Sequence, residues 1–187
     1  MDQRRLVERA RKGDHDAFTT LLDVRLARLD AAARLILRDP ELARDAVQEA
    51  SIRAWRDLPG LRDPDRFDGW LHRLVVNACL DLVRRRRRRV IEVELTPLIS
   101  PVAGDATASL ADRQLLDDAL ARLDPGHRAV VALHYLLGMP LPEVAATLRI
   151  PLGTAKSRLH YALAAMRQSV TGEADRPREA VTGGQLA

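Results

Sequence analysis

Apolar residues recur at intervals of three and four along almost the whole chain, and no run alternates with the two-residue period of a strand. Leu6, Val7 and Ala10 predict a short first helix stopped by Gly13. Asp14 or Asp16 can cap a second, whose stripe reads Phe18, Leu22, Leu26, Leu29, Ala33 and Ile36. Asp39-Pro40-Glu41 is a strong start signal: a capping carboxylate, proline at the first helical position, then an acid in the first turn. The helix it opens carries Leu42, Ala46, Val47, Ala50, Ala54 and Leu58 before Pro59-Gly60. Asp63-Pro64 repeats the signal ahead of Phe67, Trp70, Leu71, Leu74, Ala78 and Leu82, and this helix runs into Arg84–Arg89.

The pattern then changes. Residues 90 to about 109 hold two prolines and small residues without helical period, which predicts a linker of about 20 residues, too long for a buried loop. Its first residues, VIEVEL, are compatible with a short strand or an extended segment. Ser109 with Asp112 can cap a helix through Leu115, Leu116, Ala119, Leu120 and Leu123. Asp124-Pro125 starts another, through Val130, Val131, Leu133, Leu136 and Leu137, closed by Gly138. Two helices follow at about 142–149 and 153–169, and the polar tail from Thr171 is expected to be disordered. The expected fold is all-α: two small helical domains, residues 1–90 and 110–170, joined by a flexible linker over 91–109 and followed by a tail over 171–187.

Composition narrows what such a chain does. Aromatics are only 3% of the residues, so the core must be built from Leu, Ala and Val. No apolar run approaches the ~20 residues of a membrane span, and the N-terminus MDQRRLVERARKGD lacks a signal core, so a cytoplasmic protein without membrane insertion is expected. The single cysteine, Cys79, excludes an internal disulfide and reads as a buried thiol. Enzyme readings find little support. Histidines 15, 72, 127, 134 and 160 are scattered, no Gly-rich phosphate loop occurs, and the carboxylates fall mostly at helix starts, so no catalytic residue, metal or cofactor is expected. The net charge of +4 is unevenly spread: residues 1–90 carry 21 bases against 15 acids, residues 91–110 carry three acids and no base. Arg149 to Val170 holds four bases and no acid. Two basic regions around an acidic connector suggest a polyanion held at two places.

The C-terminal region supplies one of them. In Pro142–Arg167, Val144, Ala145 and Leu148 form one helical face and Ile150 packs the turn; Ala155, Leu159, Ala162, Leu163 and Met166 form the opposing face. Lys156, Ser157, His160 and Tyr161 are left on the outward side, where a recognition helix reaches base edges in a major groove. The free amides near Thr154 can take a phosphate. A plain helical hairpin with an incidentally basic face is the alternative, weighed against by the acid-free stretch. In the N-terminal half, the arginine run, with Arg84 and Arg85 at its start, is either a solvated helix end or a phosphate track. Phe67, Trp70, Arg73 and Asn77 just upstream offer rings and hydrogen-bonding groups of the kind that receive unstacked bases, although the two rings taken singly read as core.

The stretch LDPGHRAVVALHYLLGMPLPEVAATLRIPLGTAKSRLHYALAAMR resembles the C-terminal promoter-binding domain of extracytoplasmic-function (ECF) sigma factors, most specifically at Pro151–His160 and Leu123-Asp124-Pro125. The resemblance implies that Lys156, Ser157, Arg158 and His160 contact the −35 promoter element. Asp45-Ala46-Val47-Gln48-Glu49 with Arg53-Ala54-Trp55 resembles the family's polymerase-clamp helix, which implies polymerase contacts for Asp45, Gln48, Glu49 and Arg53. RFDGWLHRLVVNACLDLVRRRRR resembles its −10 segment, which implies that the Asp63–Asp68 loop, Arg73, Asn77 and Asp81 meet the non-template strand. The matches cover about 130 of the 187 residues in the family's order. They imply a dissociable transcription initiation factor whose partners are core RNA polymerase, promoter DNA and an anti-sigma factor. Four positions depart from the pattern: Tyr161 and Leu163 stand where a base is common, Arg149 where the turn often has Gly, and Pro140 where Ser usually caps. Two rivals remain at this point, a repressor or activator that binds duplex DNA without polymerase, and an interaction module that binds no DNA.

Overall fold

The computed structural model describes residues 2–92 and 117–174, and every regular element among them is helical. In chain order these are α1 (Gln3–Arg11), α2 (His15–Leu37), α3 (Pro40–Asp57), α4 (Phe67–Glu92), α5 (117–121), α6 (Pro125–Val131), α7 (Leu141–Leu148) and α8 (Leu152–Ala174). Single 3₁₀ turns, Leu58–Gly60 and Pro64–Arg66, link α3 to α4, and one π-helical turn, Ala132–Leu136, extends α6. The candidate strand in VIEVEL begins inside α4, which continues to Glu92; its remaining residues, the Ser109–Asp112 cap and the tail beyond Ala174 lie outside the described residues. Residues 171–174, assigned to the tail from sequence, continue α8.

Aspartates start the helices as their spacing predicts. Asp14 rather than Asp16 caps α2, accepting from the Ala17 amide at 3.0 Å. Asp39 accepts from the Glu41 and Leu42 amides, each at 3.1 Å, and Asp124 from those of Gly126 and His127 at 2.7 and 3.0 Å. Each such cap stabilises its helix by about 1 kcal/mol. The helix ends are less conventional. Arg38 after α2 and Arg149 after α7 both adopt left-handed backbone, φ 53° and 55°. Glycine is the usual residue there, and a side chain costs about 1 kcal/mol.

In the N-terminal domain, alanines 43, 46, 50 and 54 and Val47 form the buried face of α3 and pack on Leu71, Val75, Val76, Ala78 and Cys79 of α4. The α2 stripe needs correction. Leu26 is exposed, and Leu21 takes the inner position instead. Steps of four residues drift by about 40° each around a 3.6-residue helix, so Phe18-Leu22-Leu26 walks off the face that Phe18, Leu21 and Leu29 keep. Arg25, on that inner face, is held by Asp68 (Nε to Oδ1, 2.6 Å) and Gln3 (2.5 Å), with its guanidinium 5.3 Å from the Phe67 ring centre. Cys79 is fully buried, and burial pushes its thiol up to about 12.

In the C-terminal domain, Val144 and Ala145 of α7 pack with Ala155, Leu159 and Ala162 of α8. Gly138, φ 69°, closes the π-helical turn, as the sequence predicts. The two domains do not stand apart. Their buried residues form one continuous apolar core, with α6 and the π-helical turn packed on α2. Arg128, 7% exposed, joins them: its Nε donates to the carbonyl of Ile36 at the end of α2 (2.9 Å), and Nη1 donates to those of Leu123 and Leu120. Arg38 donates in turn to the carbonyl of Asp117 at 2.9 Å.

Candidate nucleic-acid interface

The α7–α8 pair is a helix-turn-helix. The Arg149 turn is closed by the Ile150 amide donating to Ala145 O (3.0 Å), which reverses the chain within three residues and directs the N-terminal half of α8 outward. Lys156, Ser157, His160 and Tyr161 are exposed there, and Thr154 is half-buried at the helix start. Together with Arg158, Ala164 and His127 they line one open groove. Lys156 meets no acid among the described residues, so its charge is available to a partner. Ser157 Oγ donates back to Gly153 O at 2.9 Å and keeps its lone pairs outward.

Arg158 behaves differently from its neighbours. It is half-buried, and its guanidinium lies against Gly126, where an added Cβ would come within 3.1 Å of Nη1. Glycine at 126 leaves the room this arginine occupies. The structure also brings in a residue that the sequence reading left out. His127, on the first turn of α6, sits with its ring 4.8 Å from that of Tyr161 and its Nδ1 2.5 Å from Asp124 Oδ2. Its place three residues after the capping aspartate marked it as a first-turn residue, but nothing local told that this turn faces α8. Asp124 is held below the usual carboxylate range: burial opposes this, but bonds from His127 and the Gly126 amide outweigh it.

The second surface is the seam between α3 and α4. Asp45, Ala46, Glu49 and Arg53 from α3 line a narrow pocket with Ala78, Asp81, Leu82 and Arg85 from α4. It continues past Gln48, Arg56 and the exposed Ile52, which the apolar stripe of α3 leaves on the outer face. Asp81 and Arg85, expected at the −10 strand, thus share a groove with the expected polymerase contacts. Steps of four from Arg85 through Asp81 and Asn77 to Arg73 drift by about 120° around α4, so Asn77 (half-buried) and Arg73 (exposed) lie off that groove, toward the helix start. Charges here are already paired: Arg53 with Glu49 at 2.6 Å, Arg84 with Asp81 at 2.6 Å, and Arg86 with Asp39 at 3.5 Å. Phe67 is fully buried and cannot stack on a base, whereas Trp70 is half-buried. Among the described residues no group of His, Cys, Asp and Glu could hold a metal, and no helix is long and apolar enough to cross a membrane.

The sigma-70 region 2 family model matches residues 23–89, and the sigma-70 region 4 model matches residues 113–166. The chain is 37% identical over 148 residues to the ECF RNA polymerase sigma factor SigM of Mycobacterium tuberculosis, covering 78% of this chain and 73% of that one. It belongs to the ECF sigma factors. The RNA polymerase sigma-E factor of Streptomyces coelicolor is likewise 37% identical over 139 residues, covering 74% and 77% of the two chains. Among solved structures, CnrH in complex with the cytosolic domain of CnrY is 31% identical with a TM-score of 0.64, covering 92% of this chain and 98% of that one. The sigma factor RpoE of Bartonella quintana, solved with the anti-sigma factor NepR, shares the fold with a TM-score of 0.73 at 24% identity, over 82% and 96% of the chains. The family comprises transcription initiation factors. As an ECF sigma factor the chain binds core RNA polymerase and directs promoter-specific initiation; its helix-turn-helix reads the −35 element, and its N-terminal domain captures the −10 non-template strand.

Proposed function

We propose a residue-level division of labour within this sigma factor. Residues 1–90 form the polymerase-binding and −10 domain, 91–109 the linker, 110–170 the −35 domain and 171–187 a tail. On α8, Lys156, Ser157, His160 and Tyr161 face the duplex at −35; Thr154 offers its helix-start amides to a phosphate, and Arg158 supports the reading surface from its place beside Gly126. In the α3–α4 groove, Asp45, Gln48, Glu49 and Arg53 bind core polymerase. Arg73, Asn77 and Asp81 take the −10 strand, with Arg84 and Arg85 on its phosphates. The observation that supports this division is the contrast in charge: Asp45 and Glu49 stand with Arg53 on the polymerase side of the groove, acids and bases together as a protein partner requires, while the outer face of α8 presents unpaired positive charge at Lys156.

The protein acts in the cytoplasm without catalysis of its own, and without metal or cofactor; the chemistry is the polymerase's. An anti-sigma factor is its natural antagonist, a reading supported by the Bartonella quintana sigma factor having been solved with one. The deciding experiment is in vitro transcription with purified core enzyme on a promoter library. Promoter-specific transcripts are expected; their absence with active core would overturn the reading. A DNA-binding repressor would instead bind an operator alone and fail to co-elute with core, and an interaction module would show no salt-dependent DNA binding. Within the transcription assay, Asn77→Ala should impair open-complex formation more than recruitment, and Lys156→Ala should chiefly weaken −35 binding. Equal losses in both steps for both variants would contradict the division.

A further inference from the structure

The segment Asp63–Asp68 carries three acids against one base, and cations from two other helices hold it. Burial of Pro64 and Phe67 anchors its backbone. All three carboxylates are engaged. Asp63 Oδ1 accepts from the Asp65 amide at 3.0 Å, Asp65 Oδ2 from Arg4 Nη1 of α1 at 2.9 Å, and Asp68 Oδ1 from Arg25 Nε of α2 at 2.6 Å. Arg4 and Asp65 are both exposed, so that pair contributes little. Arg25 is different: its side chain is only 15% exposed and ties three helices together. Nη1 donates to Leu21 O of its own helix at 2.7 Å, Nη2 to Gln3 Oε1 of α1 at 2.5 Å, and Nε to Asp68 in the first turn of α4. The guanidinium also stands over the Phe67 ring. Apolar burial already attaches these helices, through Leu6, Val7 and Ala10 of α1 and Phe67 and Leu71 of α4. What a planar fork with fixed bonds adds is direction.

We infer that Arg25 is a positioning residue for capture of the −10 strand: it fixes the start of α4 and the turn before it, and neutralises Asp68 on that surface. The inference rests on the reading of Asp63–Asp68 as part of the −10 segment. Two physical points carry it beyond a structural ion pair. A carboxylate on a surface that receives a polyanion repels phosphate unless a cation stands beside it, and a largely buried arginine supplies that cation from beneath. Groups that are ordered before binding also lose less freedom when the strand arrives. Arg25 thus acts through Asp68 and the turn, while Trp70, Arg73 and Asn77, further along α4 and at least half-exposed or partly so, are left to touch the strand.

Arg25→Met keeps the packing stem and removes the guanidinium; Asp68→Asn keeps the shape and removes the charge. Both would be assayed in the full chain with purified core enzyme, on a promoter selected from the library. Co-elution with core and affinity for a −35 duplex should stay within a factor of about two. Open-complex formation, read by permanganate reactivity of unpaired thymines, should fall about tenfold in Arg25→Met, the order for one charge-assisted hydrogen bond, and less in Asp68→Asn. The ratio of transcripts from the selected promoter to those from single-base −10 variants should fall as well. That ratio does not depend on how much protein is folded, so destabilisation alone would not move it. Arg25→Lys, which keeps the charge without the fork, should restore part of both. Melting and ratio unchanged in Arg25→Met and Asp68→Asn would overturn the inference. So would a loss of melting that merely follows core binding, with the ratio constant. Absence of promoter-specific transcripts from the unaltered chain would instead overturn the function on which the inference rests.

Discussion

The α3–α4 groove and the outer face of α8 are both rich in cations, yet they are built on opposite principles. In the groove Arg53 is bound to Glu49, and Asp45 and Asp81 line it with Arg56 and Arg85, so the surface offers a mosaic of both signs around the apolar Ile52 and Leu82. On α8, Lys156 meets no acid, and its neighbours Ser157, His160 and Tyr161 add donors and acceptors without negative charge. A mosaic selects a partner whose pattern is complementary and repels others; an unbalanced face binds any polyanion and leaves discrimination to hydrogen bonds. Net charge alone could not separate these roles, since residues 1–90 carry the larger positive excess.

Charge reversal on each surface is the strongest way to break that contrast. Glu49→Lys frees Arg53 and places like charge in the groove; it should weaken core binding about a hundredfold, since like-charge juxtaposition at an interface costs several kcal/mol. Lys156→Glu should weaken −35 duplex binding by a factor of about ten to a hundred and reduce its salt dependence. Each should leave the other's partner within a factor of about two, as read by polymerase co-elution and by fluorescence anisotropy on a −35 duplex. Crossed effects would mean that the two surfaces act as one.

A smaller effect comes from the second left-handed arginine. Arg149 has the backbone of Arg38, but no bond from its side chain crosses to the other domain among the described residues. Arg149→Gly should therefore stabilise the C-terminal domain by about 0.5–1 kcal/mol, raising its melting temperature by a few degrees. Affinity for a −35 duplex should hold. A loss of affinity would show that this guanidinium grips the backbone of the DNA.

Much of this was legible in the sequence, because aspartates at helix starts and apolar periodicity are local signals. Asp39, Asp63 and Asp124 opened helical turns where expected, and the inward and outward faces of α8 followed from spacing. What failed to show was non-local. Phe67 read as either a core ring or a base platform, and only the packing of α4 buries it. Arg128 gave no sign of reaching Ile36, 92 residues away, and His127 none of lying beside Tyr161. The pairing of domains across residues 93–116 depends on tertiary complementarity, for which a one-dimensional pattern has no symbol.

The two domains also differ in how acid should loosen them. In the N-terminal domain His72 has a buried Nδ1 without a hydrogen-bond partner among the described residues. Desolvation lowers its pKa below 6.5, helped by the charges of Arg28 and Arg25 and opposed by Asp68. Above pH 6.5 the ring is neutral in both folded and unfolded chain and contributes no pH dependence. Below 6.5 the unfolded chain takes up the proton while the folded one resists, so stability falls until the folded pKa is passed. Asp124 acts lower: its depressed pKa contributes stability that is present above 3.8 and lost as pH falls through the folded value. Both tryptophans, Trp55 and Trp70, lie in the N-terminal domain, and both tyrosines, Tyr135 and Tyr161, in the C-terminal one. Urea unfolding at pH 7.5 and pH 5.5, followed by tryptophan emission, should show the N-terminal midpoint dropping at the lower pH, and His72→Leu should flatten that dependence. The same slope in the variant would acquit His72 and place the acid sensitivity of this domain elsewhere.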